Sequence, residues 1–183
     1  VLDPVGIGIG RLRSDLLLEL KQYKPAIVRG NASEIIALAS LWGIEANACE
    51  SSRPRGVDTT DTVEAARDAA AALARYTGGV VAVSGKKDLV TDGEKVVYSE
   101  GGSELMEKVT GFGCSQGGVL AVYATATNPF TAALAAVAHY NVAGSRAAKV
   151  ADAPASFKTA FIDELYRATA RDIADNPFSV EEA

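Results

Sequence analysis

Two short, uniformly apolar runs, each closed by glycine and separated by residues of helical spacing, constrain this chain most. The first is Ala26-Ile27-Val28, opened by Pro25 and closed at Arg29-Gly30-Asn31. The second is Val80-Val81-Ala82-Val83-Ser84, closed by Gly85. Runs this short and this apolar suit strands buried on both faces, as in a parallel sheet. Between them Ile35, Ile36, Leu38 and Leu41 recur at helical spacing, and an Ala-rich helix is predicted from Asp61 to Tyr76. Thr60 or Asp61 would cap that helix and Gly78-Gly79 would stop it. Strand, helix and strand in this order predict an α/β fold with a mostly parallel sheet.

The remaining patterns extend this frame. Leu16, Leu17 and Leu20 place a helix over Ser14 to Gln22, and Gly43 to Asp58 reads as loop. Asp92-Gly93, flanked by Leu89 to Thr91 and Val96 to Ser99, is a strong hairpin signal. A further short strand is expected to lead into Gly111. Three helical patterns then follow, broken at Asn128-Pro129 and near Asp152 to Pro154, giving an all-helical end that covers one face. The start, Val1-Leu2-Asp3-Pro4-Val5-Gly6, reads as the end of a buried strand running into a glycine loop. On this reading the chain begins inside a larger fold and is incomplete at the N-terminus.

Composition narrows the function. A chain of 183 residues with 48% apolar and 22% charged residues builds one domain with a sizeable core. A net charge of −5 argues against nucleic acid as a partner, because backbone binding needs a basic surface. A nucleotide ligand stays open, since a few local donors suffice for it. The two cysteines, Cys49 and Cys114, give neither a disulfide framework nor metal-ligand spacing, and a reducing, cytoplasmic setting is expected. The most apolar stretch, Phe130 to Val142, contains His139 and Asn141 and reads as a core helix, so no membrane contact is expected. His139 itself reads as a satisfied core residue.

Four segments have residue types suited to chemistry. Thr110-Gly111-Phe112-Gly113-Cys114-Ser115-Gln116-Gly117-Gly118 precedes an apolar helix. Glycines there let several N–H groups point at one spot, beside the positive end of a helix dipole, which makes an anion hole. Cys114 would sit on the first turn, where thiol pKa values tend to fall. A plain glycine turn with a packed Cys is the competing reading. In Arg29-Gly30-Asn31-Ala32-Ser33-Glu34 the amide of Asn31 and the carboxylate of Glu34 share a face. They suit a hydrated magnesium ion, a capping box, or both. Asp3 closes an apparent strand at the end where α/β folds place their sites, before the glycines of Gly6, Gly8 and Gly10. Ser84 and Gly85 occupy a matching place after the second strand, while Lys86 and Lys87 read as solvated loop charges.

Taken in order, these segments resemble hydroxyethylthiazole kinase, a family of the ribokinase-like superfamily. Leu2 to Gly6, Ile27 to Ile35, Val83-Ser84-Gly85 with Asp88, and Lys108 to Cys114 carry the resemblance, which runs from Val1 to about Arg171. Cys114 makes it specific, because the wider superfamily has Asp at that place. The resemblance implies that residues 1–183 are the C-terminal two-thirds of one ribokinase-like domain, an α/β fold of three layers with a mostly parallel central sheet and helices on both faces. It implies transfer of the γ-phosphoryl group of ATP, with Mg2+, to the hydroxyl of 4-methyl-5-(2-hydroxyethyl)thiazole in thiamine biosynthesis and salvage.

By position, Arg29 and Ser84 correspond to nucleotide contacts, and Asp3, Glu34 and Asn31 to magnesium or magnesium-water ligands. Gly111 corresponds to a substrate-binding glycine, Gly111, Phe112, Gly113 and Cys114 to the anion hole, and Cys114 to the catalytic base. The chain departs from the family at Phe112, where Ala or Thr is usual and a bulky ring is expected to narrow the hole or reshape the acceptor pocket. The polar stretch Ser115 to Gly118 is a second departure. Family chains carry about a hundred more residues before Asp3, a length that suits the first strands of a sheet. The family is a homotrimer with sites at its interfaces, so the implied partners are two further subunits or a chain carrying the missing part. Other readings are a hydroxymethylpyrimidine or pyridoxal kinase, an NAD(P)H-hydrate dehydratase, or a non-catalytic nucleotide- or thiazole-binding module.

Overall fold

A computed structural model describes residues 1–44 and 63–182. Helix α1 (Arg11–Leu20) runs into a 3-10 turn (Lys21–Tyr23), and strand β1 (Ile27–Asn31) leads to α2 (Ala32–Leu41). Helix α3 (Val63–Thr77) precedes β2 (Val80–Ser84), β3 (Asp88–Thr91) and β4 (Lys95–Ser99). A second 3-10 turn (Glu104–Lys108) is followed by α4 (Phe112–Ala124), α5 (Pro129–Ala147), α6 (Pro154–Arg167), α7 (Ala170–Ala174) and β5 (Phe178–Glu182).

Local chemistry explains several boundaries. Asn31 accepts the Glu34 N–H at 2.9 Å and Glu34 accepts the Asn31 N–H at 2.9 Å, a reciprocal capping box that starts α2. Asn128 caps α5 by accepting the Thr131 N–H at 3.0 Å, with Pro129 in the first turn. Asp92 accepts the N–H groups of Glu94 and Lys95, both at 3.1 Å, and Gly93 takes the positive φ that the β3–β4 turn needs.

The five strands lie in the order β1-β2-β3-β4-β5. Alternation along them divides the interior. Val28, Val81, Val83, Leu89, Val96 and Tyr98 face α1, α2 and α3, while Ile27, Val80, Ala82 and Val90 face α4 and α5. Helix α6 packs outside α5 through Phe157 and Phe161. The α/β class and its three layers therefore stand as expected. Among the described residues, no helix is long and apolar enough to cross a membrane.

Four expectations are corrected or fall elsewhere. The sheet is mostly antiparallel: among the described residues only β1–β2 and the isolated bridge Leu2–Val28 are parallel, whereas β2–β3, β3–β4 and β4–β5 run antiparallel. The turns between β2, β3 and β4 are three residues each, far too short for the crossover that parallel pairing requires. The strand expected before Gly111 is instead the 3-10 turn Glu104–Lys108, started by Ser103 accepting the Leu105 N–H at 3.2 Å. The C-terminal end is not all helical, because β5 returns along β4. The proposed caps Thr60 and Asp61, and all but the first two residues of the Gly43 to Asp58 loop, lie outside the described residues.

Candidate functional site

Backbone pairing first brings Asp3 to Arg29. The Leu2 N–H donates to Ile27 O at 2.8 Å, and Leu2 O accepts the Arg29 N–H at 2.9 Å. Parallel register then sets Asn31 opposite Ser84. Arg29, only 4% exposed, spans these strand ends: Nη1 lies 3.1 Å from Asp3 Oδ2 and Nη2 donates to Ser84 Oγ at 2.9 Å. Burying such a pair costs several kcal/mol of desolvation, about as much as the attraction returns, so the pair adds little to stability. Two buried atoms in it, Asp3 Oδ1 and Arg29 Nε, have no partner among the described residues. A buried polar atom without a partner is costly, which makes this cluster a candidate for a ligand.

Helix α4 begins against the same cluster. Gly111 precedes it at φ 92°, a left-handed conformation that glycine adopts without strain, and no side chain caps the helix. The first i→i−4 bond of the segment is from Ser115 N–H to Gly111 O at 2.9 Å. The N–H groups of Gly113 and Cys114 find no acceptor among the described residues and remain available to an anion. A Cβ on Gly113 would lie 3.3 Å from Arg29 Nη1, and one on Gly117 3.7 Å from Asp3 Oδ2. The polar stretch after Cys114 is thus helical, and Gly113 and Gly117 let α4 lie close to the Asp3–Arg29 pair. Cys114 is a free, exposed thiol on that first turn.

Phe112 differs from the expectation placed on it. Its ring is 8% exposed and packs 4.5 Å from the Phe161 ring and 6.0 Å from that of Phe157, centroid to centroid. The ring anchors the start of α4 in the α5–α6 core and does not enter the hole. Tyr140 adds to this anchor by donating to Ser115 Oγ at 2.8 Å, and Ser115 Oγ donates to Phe112 O at 3.0 Å.

Glu34 closes the other side. Besides its capping bond, its Oε1 accepts the Gly6 N–H at 3.4 Å, which draws the glycine loop over the Asn31–Glu34 turn. Asn31 and Glu34 are accordingly a capping box, and the carboxylate keeps lone pairs for a further donor. His139 is satisfied, with Nδ1 3.1 Å from the Tyr123 hydroxyl and Nε2 2.7 Å from Leu165 O. Because a carbonyl only accepts, Nε2 carries a proton. Lys87 extends to Glu100 Oε1 at 3.4 Å, as a solvated charge would.

A network at Asp88 was not legible as such. Asp88 is buried, accepts the Gly85 N–H at 3.0 Å and is bonded by the Asn141 side chain. Burial pushes its carboxyl up to about 6, against the Gly85 and Asn141 hydrogen bonds and the Arg29 charge, which act downward. Asn141 and Asn176 both donate from Nδ2 to Ser99 Oγ at 3.0 Å. The available signal was the turn Gly85-Lys86-Lys87-Asp88, but nothing local announces partners on α5.

The hydroxyethylthiazole kinase of Bifidobacterium longum (strain DJO10A) is 45% identical over 99% of the chain. That of Brachyspira hyodysenteriae is 43% identical over 96% of it. The chain spans 63% of the length of each of these relatives. The solved structure of the hydroxyethylthiazole kinase protein from Pyrococcus horikoshii OT3 superposes with a TM-score of 0.81 at 30% identity, covering 100% of this chain and 64% of that one. The hydroxyethylthiazole kinase family profile matches residues 1–171, which takes in every strand end and helix start of the site, and the chain belongs to that family.

Proposed function

We propose that residues 1–183 form the C-terminal two-thirds of a ribokinase-like domain that phosphorylates the hydroxyl of 4-methyl-5-(2-hydroxyethyl)thiazole in thiamine biosynthesis and salvage. The observation that carries this reading is the buried Arg29 joining Asp3 and Ser84 beside the uncapped start of α4. Cation, hydroxyl and free N–H groups converge there, the set of donors a transferring phosphoryl group requires.

In this reading Arg29 and Ser84 bind the phosphates of ATP. Gly111, Phe112, Gly113 and Cys114 frame the anion hole; the Phe112 N–H donates to Val109 O at 3.5 Å, and those of Gly113 and Cys114 are free to bond the γ-phosphoryl oxygens. Gly111 leaves room for the acceptor. The acceptor oxygen bonds to the γ-phosphorus as the bond to the β–γ bridging oxygen breaks and ADP departs. Cys114 Sγ takes the hydroxyl proton; little base strength is needed, because positioning and charge neutralisation dominate such transfers.

The residues present fit Mg2+. Asp3 Oδ1 is a buried acceptor without a partner, and Glu34 and Asn31 supply oxygen ligands of the kind a hydrated hard cation accepts through its waters. Bound there, the ion would neutralise charge on the triphosphate. The thiazole pocket is completed by further residues, in a homotrimer or from a chain carrying the N-terminal part. A reducing cytoplasm suits the exposed Cys114 thiol.

A coupled ADP-release assay tests the reading, with hydroxyethylthiazole and hydroxymethylpyrimidine as rival acceptors. Release with the thiazole alone is the expected result. Release with the pyrimidine alone would reassign the substrate, and release with neither, despite bound ATP, would leave a binding module.

A further inference from the structure

One buried ionisable group at this end of the sheet is not used by the phosphate site itself. Asp88 opens β3 at 6% exposure, and its Oδ1 accepts the Gly85 N–H at 3.0 Å. A turn of this kind needs only a neutral acceptor, which Asn or Ser supplies at far lower desolvation cost. Its surroundings are organised to hold it. Ser99 lies opposite in the β3–β4 ladder, the Asn141 side chain of α5 bonds to it, and Asn176 braces Ser99 at 3.0 Å. Helix α3 closes on this turn so tightly that a Cβ at position 85 would come 2.4 Å from Val63 Cγ2, which leaves room for glycine. Of the turn residues, Lys86 is solvent-directed, while Lys87 reaches over the Tyr98 ring, 4.8 Å from its centroid, to Glu100.

We propose that Asp88 is a positioning residue for phosphate binding: by holding Gly85 it fixes the end of β2, so that Ser84 Oγ meets the Arg29 guanidinium. This deepens the functional reading above and rests on it. The charged group acting on Asp88 is Arg29 of β1; β4 presents Ser99, α5 presents Asn141, and Lys87 is paired with Glu100. Protonation of Asp88 weakens its bond to Gly85 without breaking it, since a neutral carboxyl still accepts, so the end of β2 is held less firmly as pH falls through about 6.

Two measurements test this. The Gly85 amide resonance, followed by NMR from pH 4.5 to 8, is expected to titrate with a midpoint near 6 in the wild type and not in Asp88→Asn. Affinity for MgATP, by calorimetry, is expected to fall about tenfold in Asp88→Ala, the loss of one charge-assisted hydrogen bond. In Asp88→Asn it is expected to stay within about threefold of wild type at pH 7.5, because the amide oxygen still accepts from Gly85, and to lose its dependence on pH between 5 and 7. If Asp88→Ala does not fold, Asp88→Asn decides alone. Wild-type pH dependence in Asp88→Asn, or wild-type affinity in a folded Asp88→Ala, would overturn the proposal. Absence of MgATP binding in the wild type would remove the functional reading instead, and the Gly85 titration would then settle whether Asp88 holds the end of β2.

Discussion

Replacing Phe112 with Ala separates two roles for that ring. In the structure the ring is 8% exposed and touches Phe161 and Phe157 at centroid distances of 4.5 and 6.0 Å. Truncating a buried Phe to Ala costs about 3–5 kcal/mol, from lost burial and the cavity left behind. Leu at this position retains most of the volume and is expected to cost about 1–2 kcal/mol. With a urea m-value of about 2 kcal/mol/M, the Ala variant should unfold about 1.5–2.5 M earlier, and the Leu variant less than about 1 M earlier. Far-UV circular dichroism against urea reads both shifts, and calorimetry with the folded Leu variant reads ligand binding. MgATP affinity is expected to stay within about threefold of wild type in Phe112→Leu, a change below 1 kcal/mol. A Phe112→Ala variant as stable as wild type, with altered acceptor affinity, would refute this reasoning and return the ring to the acceptor pocket.

Three further outcomes follow from the same geometry. Cys114→Asp is expected to retain turnover in the ADP-release assay, and Cys114→Ala to lower it without abolishing it; loss of nucleotide binding in Cys114→Ala would give the thiol a structural role. Glu34→Gln is expected to shift the magnesium titration of activity to higher concentration while α2 stays capped, and an unshifted titration would leave Glu34 as a cap alone. Asp88 has a folded-state pKa raised from 3.8 to about 6, so its contribution to stability is full below 3.8 and is lost as pH rises through 6. Relative to Asp88→Asn, the wild type should therefore lose on the order of 2–3 kcal/mol between pH 4 and pH 7, read by urea unfolding at each pH.

Local patterns in the sequence were legible where short-range chemistry decides structure. Asn31 and Glu34 form the capping box their spacing announces, Asp92-Gly93 turns the hairpin, and Asn128-Pro129 starts α5. The site's order along the chain was legible too, because each segment ends a strand or starts a helix. What stayed hidden depends on partners far away. Strand β5 is exposed throughout and carries no strong apolar run, so only its pairing with β4 makes it a strand. The direction of Phe112 follows from α6, more than forty residues on, and Asp88 gains its partner from Asn141. The expectation of a parallel sheet rests on β1 and β2, the pair joined by a crossover among the described strands, whereas the hairpin turn at Asp92-Gly93 implies antiparallel neighbours.

The buried Arg29 is the centre of the account, since it joins Asp3, Ser84 and the start of α4. Calorimetric titration of MgATP into the wild type and into Arg29→Gln, each shown by circular dichroism to be folded, tests it most directly. The prediction is magnesium-dependent binding by the wild type and affinity at least about tenfold weaker in Arg29→Gln. Equal affinity in a folded Arg29→Gln would contradict a phosphate site built on this guanidinium.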